Sequence, residues 1–360
     1  MPLFWNNKKV FITGHTGFKG SWLSLWLSSL GAKVYGYSLE PNTEKSLFDT
    51  LKIEDMIELS TIGDIRDLDK LKNNICSVDP DIVFHMAAQP LVRHSYDFPI
   101  ETIGTNVMGT ANVLESFKIC DSLKASVMVT SDKCYENKER LKSYSEDEPM
   151  GGYDPYSASK GCSELIISSY RNSFFSSESN IDNKNAIASA RAGNVIGGGD
   201  WSMDRLLPDA IRSFNNNEEL FIRSPNAVRP WQHVLEPLNG YMILAQSLYE
   251  GGSKFSSGWN FGPDDSDNIS VIDIVKLIQK NWPNEISWQI GNSKEKHEAK
   301  LLKLNCSKAK SKLHWAPVWN ANEAVVKTLD WNFALLSNLN MKDFSLTQIN
   351  EYTKELKNNV

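Results

Sequence analysis

Two periods of apolar residues alternate along the first half of the chain. Short, almost unbroken apolar runs at residues 8–14 (KKVFITG), 32–39 (AKVYGYSL), 56–65 (MIELSTIGDI), 81–88 (DIVFHMAA) and 125–131 (ASVMVTS) have the length and β-branched content of strands covered on both faces. Between them lie stretches of helical period. In residues 20–30, Trp22, Leu23, Trp26, Leu27 and Leu30 recur at spacings of three and four, which gives one broad apolar face. Residues 66–78, 105–120 and 155–175 read as further helices, and strand-helix alternation of this kind predicts βαβ units around a parallel sheet.

The polar run SSESNIDNKN (176–185) reads as an exposed loop, after which AIASARAGNVIGGGDW (186–201) supplies one more strand and a glycine-rich turn. Beyond it the clean alternation gives way to Pro-, Arg- and Trp-containing segments. The expected organisation is a dinucleotide-binding unit over 1–190 with a later return near 228–264, where GWNFGPDD rejoins the sheet. A smaller, discontinuous substrate-binding unit is expected over 191–227 and 265–360, including a helix at 270–282.

Composition narrows the function. At 360 residues and 41% hydrophobic content the chain can bury a large core. Its 44 acidic and 38 basic residues are interspersed, so there is no footprint for nucleic acid, and bound phosphate must be held locally. The N-terminal residues lack the apolar core of a signal peptide and the most apolar segment, SWLSLWLSSLGA, is too short to span a bilayer, so a cytoplasmic protein without a membrane partner is expected. Five scattered cysteines without metal-ligand spacing predict neither a disulfide framework nor a metal site.

Candidate chemistry begins at FITGHTGFKGSW, where Gly14, Gly17 and Gly20 stand between a strand and an amphipathic helix. Glycines at this spacing permit a tight turn and close approach of a pyrophosphate to the helix N-terminus, although a plain strand-to-helix turn uses the same residues. Ser38 stands where the fingerprint expects an acidic ribose ligand, with Glu40 two residues on; no arginine awaits a 2′-phosphate, which favours NAD over NADP. Asp64 ends the third strand, as an adenine acceptor or as a helix N-cap.

Tyr156 and Lys160 are four residues apart at a helix start and share a face, where a cation can stabilise a phenolate. Asp132 and Lys133 adjoin at the end of the fifth strand. As a surface ion pair they would contribute only about 0–1 kcal/mol, but the carboxyl edge of a parallel sheet is where such folds bind ligands.

The segments TGHTGFKG, HMAAQP, NVMGT, TSDKCYEN, YSASK and RAGNVIGGGDW, in this order, resemble the extended short-chain dehydrogenase/reductase superfamily and, within it, the nucleotide-sugar 4,6-dehydratases. The resemblance implies an α/β fold, a Rossmann-type doubly wound parallel sheet with a smaller C-terminal substrate-binding domain, and NAD as cofactor. It implies transient oxidation at C4 of a hexose, elimination of water across C5 and C6, and return of hydride to C6; a 4-epimerase would share the scaffold without the dehydrating pair. Lys133, where dTDP-glucose enzymes carry Glu, points to CDP-glucose and to deoxysugar supply for a lipopolysaccharide O-antigen. By the same resemblance Ser131, Asp132, Lys133, Tyr156 and Lys160 are catalytic, with Lys133 acting as base, as cation or through a water. Gly14, Gly17, Phe18, Lys19, Gly20, Asp64, Ile65, Ala87, Ala88, Gln89, Asn106 and Thr130 serve the cofactor together with Tyr156 and Lys160. His94, Asn194, Arg205, Arg223 and Arg229, the last near Trp231, serve the nucleotide sugar. A homodimer or higher homo-oligomer formed through the 105–120 and 155–175 helices is implied as well.

Overall fold

The computed structural model describes residues 2–176, 185–291 and 301–358, so most of the predicted loop at 176–185 lies outside the described residues. Seven strands form one parallel sheet: β1 (Lys9–Thr13), β2 (Lys33–Ser38), β3 (Leu59–Ile62), β4 (Ile82–His85), β5 (Ala125–Val129), β6 (Ala186–Ala192) and β7 (Gly258–Phe261). Their order is β3-β2-β1-β4-β5-β6-β7. The chain moves outward from β1 to β3, then crosses back to β4. That reversal beside β1 opens a crevice at the carboxyl ends of the strands.

Alternation along β1 shows why both faces are covered. Val10 and Ile12 enter one apolar cluster and Phe11 another. The first cluster takes Trp22 and Trp26 from α1 (Phe18–Ser29). The second takes Leu71 and Ile75 from α2 (Leu68–Val78), Val113 from α3 (Gly109–Ser116) and Ile167 from α4 (Pro155–Phe174). Strands buried in this way need continuous apolar runs, which is how β1, β4 and β5 were recognisable; β3, expected to be covered on both faces, is instead an edge strand paired with β2 alone, and its Leu59 and Ile62 are exposed. α2 starts later than its pattern suggests because Asp67 caps it, accepting from the Lys70 amide at 3.0 Å.

A third cluster lies beyond the sheet. It joins Leu207 and Ile211 of α5 (Leu206–Asn215), Ile274 and Ile278 of α7 (Val271–Asn281), numbered after α6 (Leu235–Gly251), and Val325 and Leu329 of α8 (Ala321–Leu336). The C-terminal helix α9 (Met341–Asn358) turns back to the first cluster instead. There Tyr352 donates to the fully buried Glu236 at the start of α6 at 2.7 Å, and the Trp319 amide donates to the same carboxylate at 2.7 Å.

Candidate active site

The loop after β1 is shaped by two glycines and opened by a third. Gly14 has φ +81°, and a Cβ there would lie 2.7 Å from the Ala87 nitrogen, so glycine alone lets the loops after β1 and β4 touch. At Gly20 a Cβ would lie 2.0 Å from the Gly14 carbonyl oxygen, which seats α1 against the loop. Gly17 is exposed, caps α1 without a side-chain hydrogen bond, and a Cβ there would meet nothing nearer than 3.4 Å. The first amides of α1 therefore face open space, the arrangement that receives an anion. Thr16, which the motif did not single out, ties this loop to the end of β2 through Ser38 at 2.8 Å and the Leu39 carbonyl at 2.8 Å.

Asp64 is neither the cap of α2 nor free of partners: Arg66 grips its carboxylate, with Nε at 2.9 Å from Oδ2. Asn106 sits in a π-turn (Gly104–Met108) that opens α3. Its side chain accepts from the Gln89 amide at 2.8 Å and donates to the Gln89 carbonyl at 3.0 Å and to Ser159 at 2.9 Å. The π-turn leaves the Asn106 carbonyl to accept from Thr110 and Ser163 at 2.6 and 2.8 Å.

α4 begins in the manner its sequence dictates: Pro155 takes the first position and Asp154 accepts from the Ser157 amide at 2.9 Å. The first two turns then carry Tyr156 and Lys160 inward, both almost fully buried. After β5, Ser131 donates to Asp132 Oδ1 at 3.0 Å and acts on the Tyr156 phenol, which it favours in the ionised form. The second carboxylate oxygen of Asp132 is buried with no partner among the described residues. The Lys133 ammonium stands 5.9 Å from the centre of the Tyr156 ring. Beneath this group, buried Glu164 accepts from Thr130 at 2.5 Å, Ser189 at 2.7 Å and Arg191 at 2.7 Å, which fixes β5, β6 and α4 to one another.

Burial sets the protonation of these groups. It raises the Asp132 carboxyl against the opposing pull of Lys133 and Ser131. It pushes the Tyr156 phenol up to about 12, offset in part by Ser131. Lys160 falls to about 8 for the same reason. Lys19, enclosed at the foot of the site with Arg205 and Lys160 as cationic neighbours, falls to about 7.

A cavity of about 870 Å³ runs from Gly17 and Lys19 past Ser131 and Tyr156 to Arg223 and Arg229. Phe18, Ile65, Ala87, Ala88, Thr130 and Asn194 also line it, whereas Gln89 and Asn106 do not. His94 is absent from the lining as well: it stacks on Phe98 at 4.6 Å and faces Glu101 at 3.5 Å, and the short helix Val92–Asp97 presents Arg93 to the cavity instead. Arg205 lines the cavity, paired with Asp200 at 2.8 Å. Sequence reasoning singled out none of Arg93, Asp200 and Asp204, though Arg93 lies in the segment AAQPLVRHSY that it expected to line the site.

The sequence profile of the GDP-mannose 4,6-dehydratase family matches residues 11–328. The CDP-glucose 4,6-dehydratase of Salmonella typhimurium is 54% identical over 349 residues, covering 97% of each chain. Among solved structures, the UDP-glucose 4-epimerase of Thermotoga maritima with UDP-glucose has the same fold, with a TM-score of 0.76 at 19% identity over 91% of this chain and 99% of that one. The structure of MoeE5 in complex with UDP-glucose and NAD likewise has a TM-score of 0.76, at 21% identity over 91% and 99% of the two chains.

Proposed function

The chain belongs to the GDP-mannose 4,6-dehydratase family, and from that premise we propose that it converts CDP-D-glucose to CDP-4-dehydro-6-deoxy-D-glucose and water. The observation that carries this reading is the buried, unpartnered oxygen of Asp132 beside Tyr156. A 4-epimerase has no leaving hydroxyl to protonate. A dehydratase does, and a carboxyl whose acid form is favoured by burial is suited to protonate it.

NAD fits the cradle, because the open Gly17 surface and the uncapped start of α1 suit a pyrophosphate, with Lys19 close by. Gly14, Gly17, Lys19, Ala87, Ala88 and Thr130 would hold it, and when bound it supplies a reversible acceptor for the hydrogen and electron pair of C4. Tyr156 takes the proton of the 4-hydroxyl, with Ser131 holding that hydroxyl. Because burial lifts the Tyr156 phenol, it needs the positive charge of Lys160 to act as base. The resulting 4-ketone acidifies C5. Lys133 serves the C5 proton, Asp132 protonates the departing C6 hydroxyl, and the product requires that the hydrogen and electron pair taken from C4 be returned to C6 as C5 regains its proton. Asn194, Arg205, Arg223 and Arg229 serve the nucleotide, in a lobe built on the third apolar cluster.

Purified protein given NAD and CDP-glucose is expected to form a 4-keto-6-deoxy sugar, read by its absorbance in alkali. Product from dTDP-glucose or GDP-mannose, with none from CDP-glucose, overturns the nucleotide assignment. The setting we propose is cytoplasmic deoxysugar supply for a lipopolysaccharide O-antigen, by a homodimer or higher homo-oligomer. Exposed Ile100, Met108 and Leu165, on or beside α3 and α4, support such pairing, at 80%, 56% and 59% exposure. No helix among the described residues is long and apolar enough to cross a membrane.

A further inference from the structure

At the outer end of the cavity, two arginines from different parts of the chain converge on one carboxylate oxygen. Arg223, just past the strand Leu220–Ile222, donates through Nη1 to Asp204 Oδ1 at 2.6 Å and through Nη2 to the Asp204 carbonyl at 3.4 Å. Arg93, from the helix after β4, brings its Nε to 3.8 Å from the same Oδ1. All three side chains line the cavity. Asp204 itself has φ +63°, a left-handed conformation that aspartate tolerates better than most residues. The loop before α5 thus holds a carboxylate across the gap between the sheet and the third cluster.

Charge and geometry say what the arrangement suits. Arg205, next in the chain, turns the other way to Asp200, and the nearby carboxylate of Asp209 is held by Arg212, so Asp204 is the carboxylate that both Arg93 and Arg223 reach. A guanidinium fork fits a phosphate as readily as a carboxylate. The side chains of Arg93, Arg223 and Asp204 remain 31%, 31% and 45% exposed, and an ion pair so exposed is weak enough for a dianion to displace.

We propose that Asp204 is a stand-in anion: in the free protein its carboxylate holds the place of the nucleotide sugar's diphosphate, and Arg93 and Arg223 together receive that diphosphate when it enters. The inference rests on the cavity's being a nucleotide-sugar site. It adds Arg93 as a diphosphate ligand and Asp204 as a residue that opposes binding.

The test is calorimetric titration of CDP and of cytidine into wild type, Asp204→Asn and Arg93→Met, with melting curves to confirm folding. Asp204→Asn is expected to bind CDP about fivefold more tightly, the equivalent of a weak exposed ion pair, and cytidine unchanged. Arg93→Met is expected to bind CDP more weakly and cytidine unchanged. CDP binding in Asp204→Asn that is unaltered or weakened overturns the proposal, since Asp204 would then only position the arginines; so does an equal effect on cytidine. If wild type binds dTDP or GDP but not CDP, the cytosine reading fails while the same comparison with that diphosphate decides the stand-in. Failure of every nucleoside diphosphate to bind sinks both.

Discussion

Asn106 holds both polar atoms of the Gln89 main chain, accepting from its amide at 2.8 Å and donating to its carbonyl at 3.0 Å. One side chain therefore fixes the loop after β4 whose Ala87 and Ala88 line the cavity.

Replacing Asn106 by alanine strips two buried main-chain groups of their partner, at about 1–3 kcal/mol each. A lower melting temperature and weaker NAD binding are expected, with CDP binding little changed. Melting curves and separate NAD and CDP titrations check this.

Tyr156→Phe and Asp132→Asn should fail at different steps. Losing the phenol should cut turnover by about 10²–10⁴-fold with folding and ligand binding retained. Losing the acid leaves C4 oxidation intact and blocks loss of water, so the near-ultraviolet absorbance of reduced nicotinamide should build up in Asp132→Asn and not in Tyr156→Phe. Equal absorbance from both variants would contradict the division of labour.

NAD affinity should depend on Lys19. Its ammonium is charged below about pH 7 and neutral above it, and an anionic dinucleotide binds the charged form. Affinity should therefore fall as pH rises through 7, by at most about tenfold per unit. Lys19→Met should bind more weakly at low pH and show a flatter profile, read by titrations across the range.

Glu236 gives stability a pH dependence of its own. Burial raises its carboxyl from 4.5 to about 7. Between those values the folded protein keeps a proton that the unfolded chain has released, so this contribution is complete at low pH and is lost as pH rises to about 7 and above. Glu236→Gln should remove that part of the slope in denaturant melts made from about pH 5 to 8.

What could be read from the sequence was what local periodicity encodes. The strands of the sheet, the glycine loop and the i, i+4 placement of Tyr156 and Lys160 depend on residues within a few positions of one another. Distant partners were not legible. Even near pairings escaped: Arg66, two positions on, holds the carboxylate of Asp64, which still lines the cavity, and the helix phase turns Arg93 rather than His94 inward. Arg223 and Asp204 meet across 19 positions and Tyr352 reaches Glu236 across 116. No window along the chain contains such pairs, so neither the charge pattern at the cavity mouth nor the return of α9 to the sheet could be anticipated.

Strand β6 has a history that the finished sheet conceals. All seven of its residues are buried, yet the strand that covers its outer side begins only at Gly258. A ribosome adding about 5–20 residues per second leaves that apolar edge uncovered for several seconds while the intervening segment is made. During that interval β6 is a template for another nascent chain. Chains cut short before Gly258 should therefore be recovered in the insoluble fraction, and expression of the full protein should improve when initiation is infrequent enough to keep neighbouring chains apart while elongation keeps its pace.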